Sequence, residues 1–286
     1  MKNLLLAVFS GLWFSLAQAA VVVRVPVTVP DDAKINAFLA NGNLQAISSY
    51  ASPLLDSGGL VEQVLFRRAI VQGGLDAQFT NFRVSNSARA RESVRDGSAV
   101  GGGFAAWHTY CQENATDLFE SEAVIPDGRF EKGLYTSAEK LGQLKVKTSR
   151  DLQHLRVAST RTWVVDWATL EQLKFAKVMD ASTVEEQFKL VQTGWADVVL
   201  HDFANTPDMS VEVNGIRLYP IPGVKVALVG SRHFIVSRKH PAGAQVFESL
   251  QKGLKIMQKS GEIERAFTES GFYNMTARNW LLLKPE

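Results

Sequence analysis

The chain has 286 residues, of which 46% are hydrophobic and 21% charged, the proportions of an ordinary globular protein long enough for one large domain or two modest ones. Its formal net charge is +2, too balanced to indicate a nucleic-acid partner or an anionic membrane surface. Cys111 is the only cysteine, so no internal disulfide can form.

The first residues read as an export signal. Lys2 supplies the positive end, Leu4 to Leu16 the apolar run, and Ala17-Gln18-Ala19 a small-residue cleavage site. The run is shorter than the roughly 20 residues that cross a bilayer. No cysteine sits at the cleavage point, so the lipid-anchor pattern is missing. Cleavage after Ala19 is expected to release a soluble periplasmic protein.

Val21 to Val29 reads as a strand, demoted to an edge by Pro26 and Pro30. Residues 31–59 read as a long irregular connection, with Tyr50, Ser52 and Pro53 near its end. Leu60, Val61, Val64, Leu65 and Ala69 mark an amphipathic helix that stops at Gly73-Gly74. Leu75 to Val84 reads as a strand.

Two stretches then share one phrase. RESVRDGSAV (91–100) and FKLVQTGWADVV (188–199) both read as a helix, a stopping glycine and a buried strand. Such an echo, about a hundred residues apart, points to two similar α/β lobes. The second unit ends on His201 and Asp202. Ligands in open α/β sheets sit beyond the carboxyl ends of strands, so Asp202 is a candidate site residue. After the first unit come Gly101-Gly102-Gly103, which either admit a close backbone or ligand or simply make a bend. Phe104, Trp107, His108 and Tyr110 follow, and can wall a pocket.

Further on, Leu155 to Ala158 reads as a strand leading into STRTW (159–163), where a helix can begin. A helix start suits an anion, and a capping role for Ser159 or Thr160 is the plain alternative. Residues 216–237 read as two extended runs. The tail helix carries Phe247, Leu250, Leu254 and Met257, Ser260-Gly261 breaks it, and a short helix with Ile263, Ala266 and Phe267 follows.

The order of KVKTSRDLQHLRVAST, WADVVLHD and SRHFIVSRKHP followed by SGEIERAF resembles type 2 periplasmic solute-binding proteins of family 3, which serve ABC transporters of amino acids and other polar solutes. The resemblance covers about residues 50–275. It implies two lobes, each a mixed sheet flanked by helices, joined by two crossing segments: residues 20–137 with 232–286, and residues 138–231. It also implies hinge closure on a ligand. Asp202 stands where the family has an acid for the ligand's ammonium group. Thr162, with Arg161 beside it, stands at the helix start that holds a carboxylate. The family's arginine clamp has no counterpart in WHTYCQENATD (107–117), and Arg161 is its candidate substitute from the other lobe.

Tyr50, Phe104, Trp107, Arg161, Thr162 and Asp202 are therefore the expected ligand-binding residues. No cofactor is expected. His108, His154, His201, His233 and His240 show no metal-ligand spacing, so no metal is expected. A GxSxG elbow is absent, and His201 and Asp202, as strand neighbours, point to opposite faces. The expected role is capture of a small polar solute for an inner-membrane transporter by a monomer. The alternatives are a ligand-sensing partner of a signalling protein and a dehydratase-like enzyme on the same fold.

Overall fold

The computed structural model describes residues 20–40 and 44–284. The expected export signal, 1–19, lies outside the described residues. Among the described residues no helix is long and apolar enough to cross a membrane.

Strand β1 (Val21–Thr28) pairs in parallel with β2 (Ala77–Val84) along its whole length, and among the described residues with no other strand. Pro26 is tolerated on such an edge because it owes no hydrogen bond to a second neighbour. Between them lie helix α1 (Val29–Ala40) and helix α2 (Gly58–Gln72). The sequence reading left 31–59 as an irregular connection, and α1 corrects it. Pro30 begins that helix, where its missing N–H costs nothing, and Asp31 and Asp32 complement the dipole. Ser57 caps α2 through a hydrogen bond from the Leu60 N–H.

Helix α3 (Ser87–Arg95) opens the first copy of the repeated phrase, followed by β3 (Ala106–Trp107), α4 (His108–Glu113), β4 (Leu118–Ile125) and β5 (Glu131–Thr136). Next come α5 (Ala138–Leu141), β6 (Arg156–Ser159), α6 (Val164–Gln172), β7 (Lys177–Asp180), α7 (Val184–Gln192) and β8 (Val198–His201). Strands β9 (Val211–Val213), β10 (Ile216–Pro220), β11 (Val224–Ala227) and β12 (Arg232–Ser237) lead to α8 (Gly243–Lys259), α9 (Glu262–Glu269) and β13 (Leu281–Leu283). The run 225–237, read as one strand, is two: Gly230, at φ +107°, turns the chain between β11 and β12.

The two copies of the repeated phrase have the same hydrogen bonds. Asn86 caps α3 and Thr183 caps α7, each accepting from the N–H three residues on. Gly97 and Gly194 end the helices at φ +89° and +78°. The N–H of Ala99 then donates to Ser93 O at 2.8 Å, and that of Ala196 to Leu190 O at 3.0 Å. The copies diverge after that point. Residues 198–201 form β8, whereas the segment after Ala99 touches β12 by a single bridge, Gly101 to Val236.

Besides the two-stranded β1–β2 sheet, two sheets mark out two regions of the chain. Strands β3, β12 and β4 form one sheet, with α8 against β4 and β12. A sheet in the order β13-β11-β5-β8-β6-β7, extended by β10 and β9, forms the other. The chain enters this second sheet at β5, leaves it after β11 into β12 of the first sheet, and returns to it with the C-terminal β13. In the first region α2 and α8 pack closely because their contact is built from small residues. A Cβ on Gly253 would stand 1.7 Å from Ala69 O, and one on Gly73 1.8 Å from Ser249 O.

Candidate functional site: a cleft between the lobes

A cavity of about 390 Å³ lies between the two regions. One wall comes from the start of α2, from α3, and from residues 104–113. The other comes from residues 162–166 and Leu228. Phe104, Trp107, Tyr110, Phe130 and Trp163 give it an aromatic lining.

Besides Glu113, Ser87, Thr109 and Thr162, the polar groups of the cleft form three sets. In the first, Arg232 grips Glu62, with Nε 3.1 Å from Oε1 and Nη2 3.0 Å from Oε2. Arg232 Nη2 also donates to Ala105 O at 2.7 Å, and the Ala105 N–H donates to Glu62 Oε2 at 2.9 Å. This closes a ring of charge-assisted bonds. Trp107 and Phe130 each lie 5.1 Å from the Arg232 guanidinium. Burial raises the Glu62 carboxyl above its usual range, and Arg232 offsets part of that rise.

In the second set, Lys132 Nζ donates to Asp166 Oδ1 at 2.6 Å and lies 3.7 Å from Asp202 Oδ1. Burial acts to lower the Lys132 ammonium, but Asp166 and Asp202 outweigh it and hold the group above the ordinary lysine value. Asp166 sits in the first turn of α6, where its carboxylate complements the helix dipole.

The third set is Arg91, which reaches the cleft from α3. Its guanidinium lies 5.3 Å over the Tyr110 ring, and among the described residues it makes no hydrogen bond and no ion pair. Burial lowers its ordinary value. A guanidinium in this setting is suited to a carboxylate or other planar anion.

The structure distributes the six sequence-expected residues unevenly. Phe104, Trp107 and Thr162 line the cleft. Tyr50 does not: it is fully buried in the core, its hydroxyl donating to Glu262 Oε1 at 2.8 Å. Glu262 also pairs with Arg68, so a structural network takes up the phenol. Arg161 is also outside the cavity wall. Its side chain is 71% exposed, 3.6 Å from Asp180 and 4.4 Å over the Trp167 ring. Asp202 lines a neighbouring pocket of about 240 Å³ with Asp56, Ser57 and Asn205, and its Oδ1 lies 3.7 Å from Lys132 Nζ. Asp202 Oδ1 is buried with no hydrogen-bond partner among the described residues.

Thr162 keeps its hydroxyl 3.0 Å from Thr160 Oγ1. The three glycines serve packing. A Cβ on Gly101 would stand 2.5 Å from the Phe66 ring, and one on Gly103 2.0 Å from Gln63 Oε1.

Glu62, Arg91, Lys132, Asp166 and Arg232 were not identified from the sequence. For two of them a signal exists. Glu62 stands inside the apolar run of a helix, and Lys132 inside a buried strand. Charges are seldom buried unless paired.

No family model matches this chain, and no curated protein matches it in sequence. Solved structures do resemble it. The chain is similar to the probable amino-acid ABC transporter extracellular-binding protein ytmK of Bacillus subtilis, with a TM-score of 0.55 and 11% identity over 87% of this chain and 97% of that one. The periplasmic VFT2 domain of Bordetella pertussis BvgS gives 0.52 and 16% over 87% and 92%. Substrate-binding domain 2 of Lactococcus lactis GlnP, in an open conformation, gives 0.51 and 12% over 88% and 96%. The chain has the two-lobed periplasmic binding protein type 2 fold. In that fold the two sheets are the cores of the two lobes, and the cavity is the inter-lobe cleft.

Proposed function

We propose that this is an exported solute-binding protein that captures a small anionic solute in the inter-lobe cleft for an ABC transporter. The observation that carries this reading is Arg91, a cleft guanidinium over the Tyr110 ring that makes no hydrogen bond or ion pair among the described residues. A mostly apolar cavity with a few fixed polar groups is the usual layout of a small-molecule site. The first lobe comprises residues 20–137 with 232–286 and the second 138–231, the chain crossing after β5 and again between β11 and β12. The protein acts as a monomer and takes no part in catalysis.

The test is a thermal-shift panel of organic acids, amino acids, polyamines and sugars, followed by calorimetry. A ligand at about a thousand times its Kd adds about 4 kcal/mol to the folded state, which gives a shift of several degrees. Anionic hits whose binding is lost in Arg91→Ala support the reading. Hits confined to cationic or neutral solutes, or binding unchanged in Arg91→Ala, reject it.

A second reading is a ligand-sensing partner of a signalling protein. It is favoured by the internal pairing of Lys132 with Asp166, two groups lining the cleft that satisfy each other without any solute. Deletion of the gene separates the two: loss of solute uptake indicates transport, and loss of a transcriptional response with uptake intact indicates sensing.

A further inference from the structure

His108, Glu120 and His233 come from three different elements: the start of α4, β4 and β12. They meet on the sheet face that α4 covers. His108 Nδ1 is 2.7 Å from Glu120 Oε1, and His233 Nδ1 is 3.4 Å from the same oxygen. One ligand atom from each residue lies within 4.8 Å of the other two. For tetrahedral zinc, with bonds of about 2.0–2.1 Å, ligand atoms stand roughly 3.3 Å apart. His108 is exposed and free to make the remaining adjustment.

From this arrangement we infer that His108, Glu120 and His233 form a site for a borderline divalent metal, zinc in the first instance, behind the cleft wall. Two imidazoles and a carboxylate are a donor set that zinc accepts and that magnesium or calcium does not favour.

The surrounding hydrogen bonds suit this role. His233 Nδ1 lies 2.7 Å from Ser121 O, and its Nε2 lies 2.7 Å from Ser231 Oγ. A carbonyl only accepts, so without metal the proton sits on Nδ1 and Ser231 donates to Nε2. With metal on Nδ1 the proton moves to Nε2 and donates to Ser231, whose hydroxyl serves either tautomer. That is the outer-shell bond that metal-binding histidines usually make. Ser121 O is then released toward the metal, and it or water completes four-coordination. Gln112 Nε2 donates to Glu120 Oε2 at 2.7 Å, which leaves Oε1 as the single ligating oxygen.

The site adjoins the cleft through the chain itself. Trp107 precedes His108 and Arg232 precedes His233, and both line the cleft. The metal would tie α4 to β12 directly behind these two residues.

The experiment is titration of the metal-stripped, purified protein with Zn²⁺ by calorimetry, and with Co²⁺ by visible ligand-field absorption. One equivalent of Zn²⁺ is expected to bind. His108→Ala and Glu120→Gln should each weaken it by at least about tenfold, the lower bound for disturbing a metal's surroundings, and should abolish an intense tetrahedral Co²⁺ spectrum. His108 is exposed, so its variant should keep the parent's metal-free melting temperature. His154→Ala should leave binding unchanged. Absence of saturable binding, or binding of equal strength in His108→Ala and Glu120→Gln, overturns the assignment. Because this readout does not involve the solute, failure here leaves the solute-binding reading intact, and the reverse also holds.

Discussion

Arg91 and Arg161 are both arginines near the cleft, and their surroundings give them opposite roles. Arg161 is exposed and paired with Asp180, so its charge is already spent. Arg91 faces the cleft and makes no ion pair among the described residues. A hydrogen bond to a charged group contributes about 1.5–3 kcal/mol, so Arg91→Ala should weaken an anionic ligand by roughly 10- to 100-fold, measured by calorimetry. Arg161→Ala should leave the same affinity unchanged, reversing the sequence expectation that this residue holds the anion. Glu62 belongs to stability first. Its loss strands the Arg232 guanidinium in a buried place, so Glu62→Ala should cost about 3–5 kcal/mol in urea unfolding.

At the scale of elements, the repeated helix–glycine–strand unit is a local device. Gly194 has open space where a Cβ would go, so Gly194→Ala pays only for the left-handed backbone, about 1 kcal/mol by thermal unfolding. Gly101→Ala meets the Phe66 ring and should cost about 1–3 kcal/mol through overpacking. The second unit is anchored by Asp197, which accepts from Arg156 N–H, Nε and Nη2 and from Lys140 Nζ. Burial acts to raise the Asp197 carboxyl, but the bonds from Arg156 and Lys140 outweigh it and hold it well below the usual carboxylate range. A depressed folded value contributes stability above the unfolded value of about 3.9, and that stability is lost as pH falls through the folded value. Asp197→Asn should therefore cost about 2 kcal/mol at neutral pH. The gap from the parent should close progressively below about pH 4 in paired melting curves.

For the whole molecule, the decisive contact is Lys132, which ties β5 to Asp166 of α6 and to Asp202 just beyond β8. Bound solute must either leave this tie in place or replace it. Hinge closure predicts a smaller radius of gyration with saturating ligand in small-angle scattering, and an unchanged radius would argue for a rigid cleft.

Which parts of this were legible beforehand depended on the range of the interaction. The sequence alone determined the two helix–glycine stops and the strand after the second of them, the amphipathic helix α8, the existence of α2, which the fold buries on nearly every side, the aromatic segment 104–110, and the order of pieces that resembles solute-binding proteins. Each rests on periodicity or a chain stop within about fifteen residues. Helix α1 escaped because Asn, Gly, Ser and Pro around it read as loop. Only the tertiary structure decided the charge assignments. Glu62 meets Arg232, Lys132 meets Asp166, and Tyr50 meets Glu262, at separations of 170, 34 and 212 residues. A charged side chain is spent or available according to its partner, and partners that far apart in the chain are brought together only by the fold.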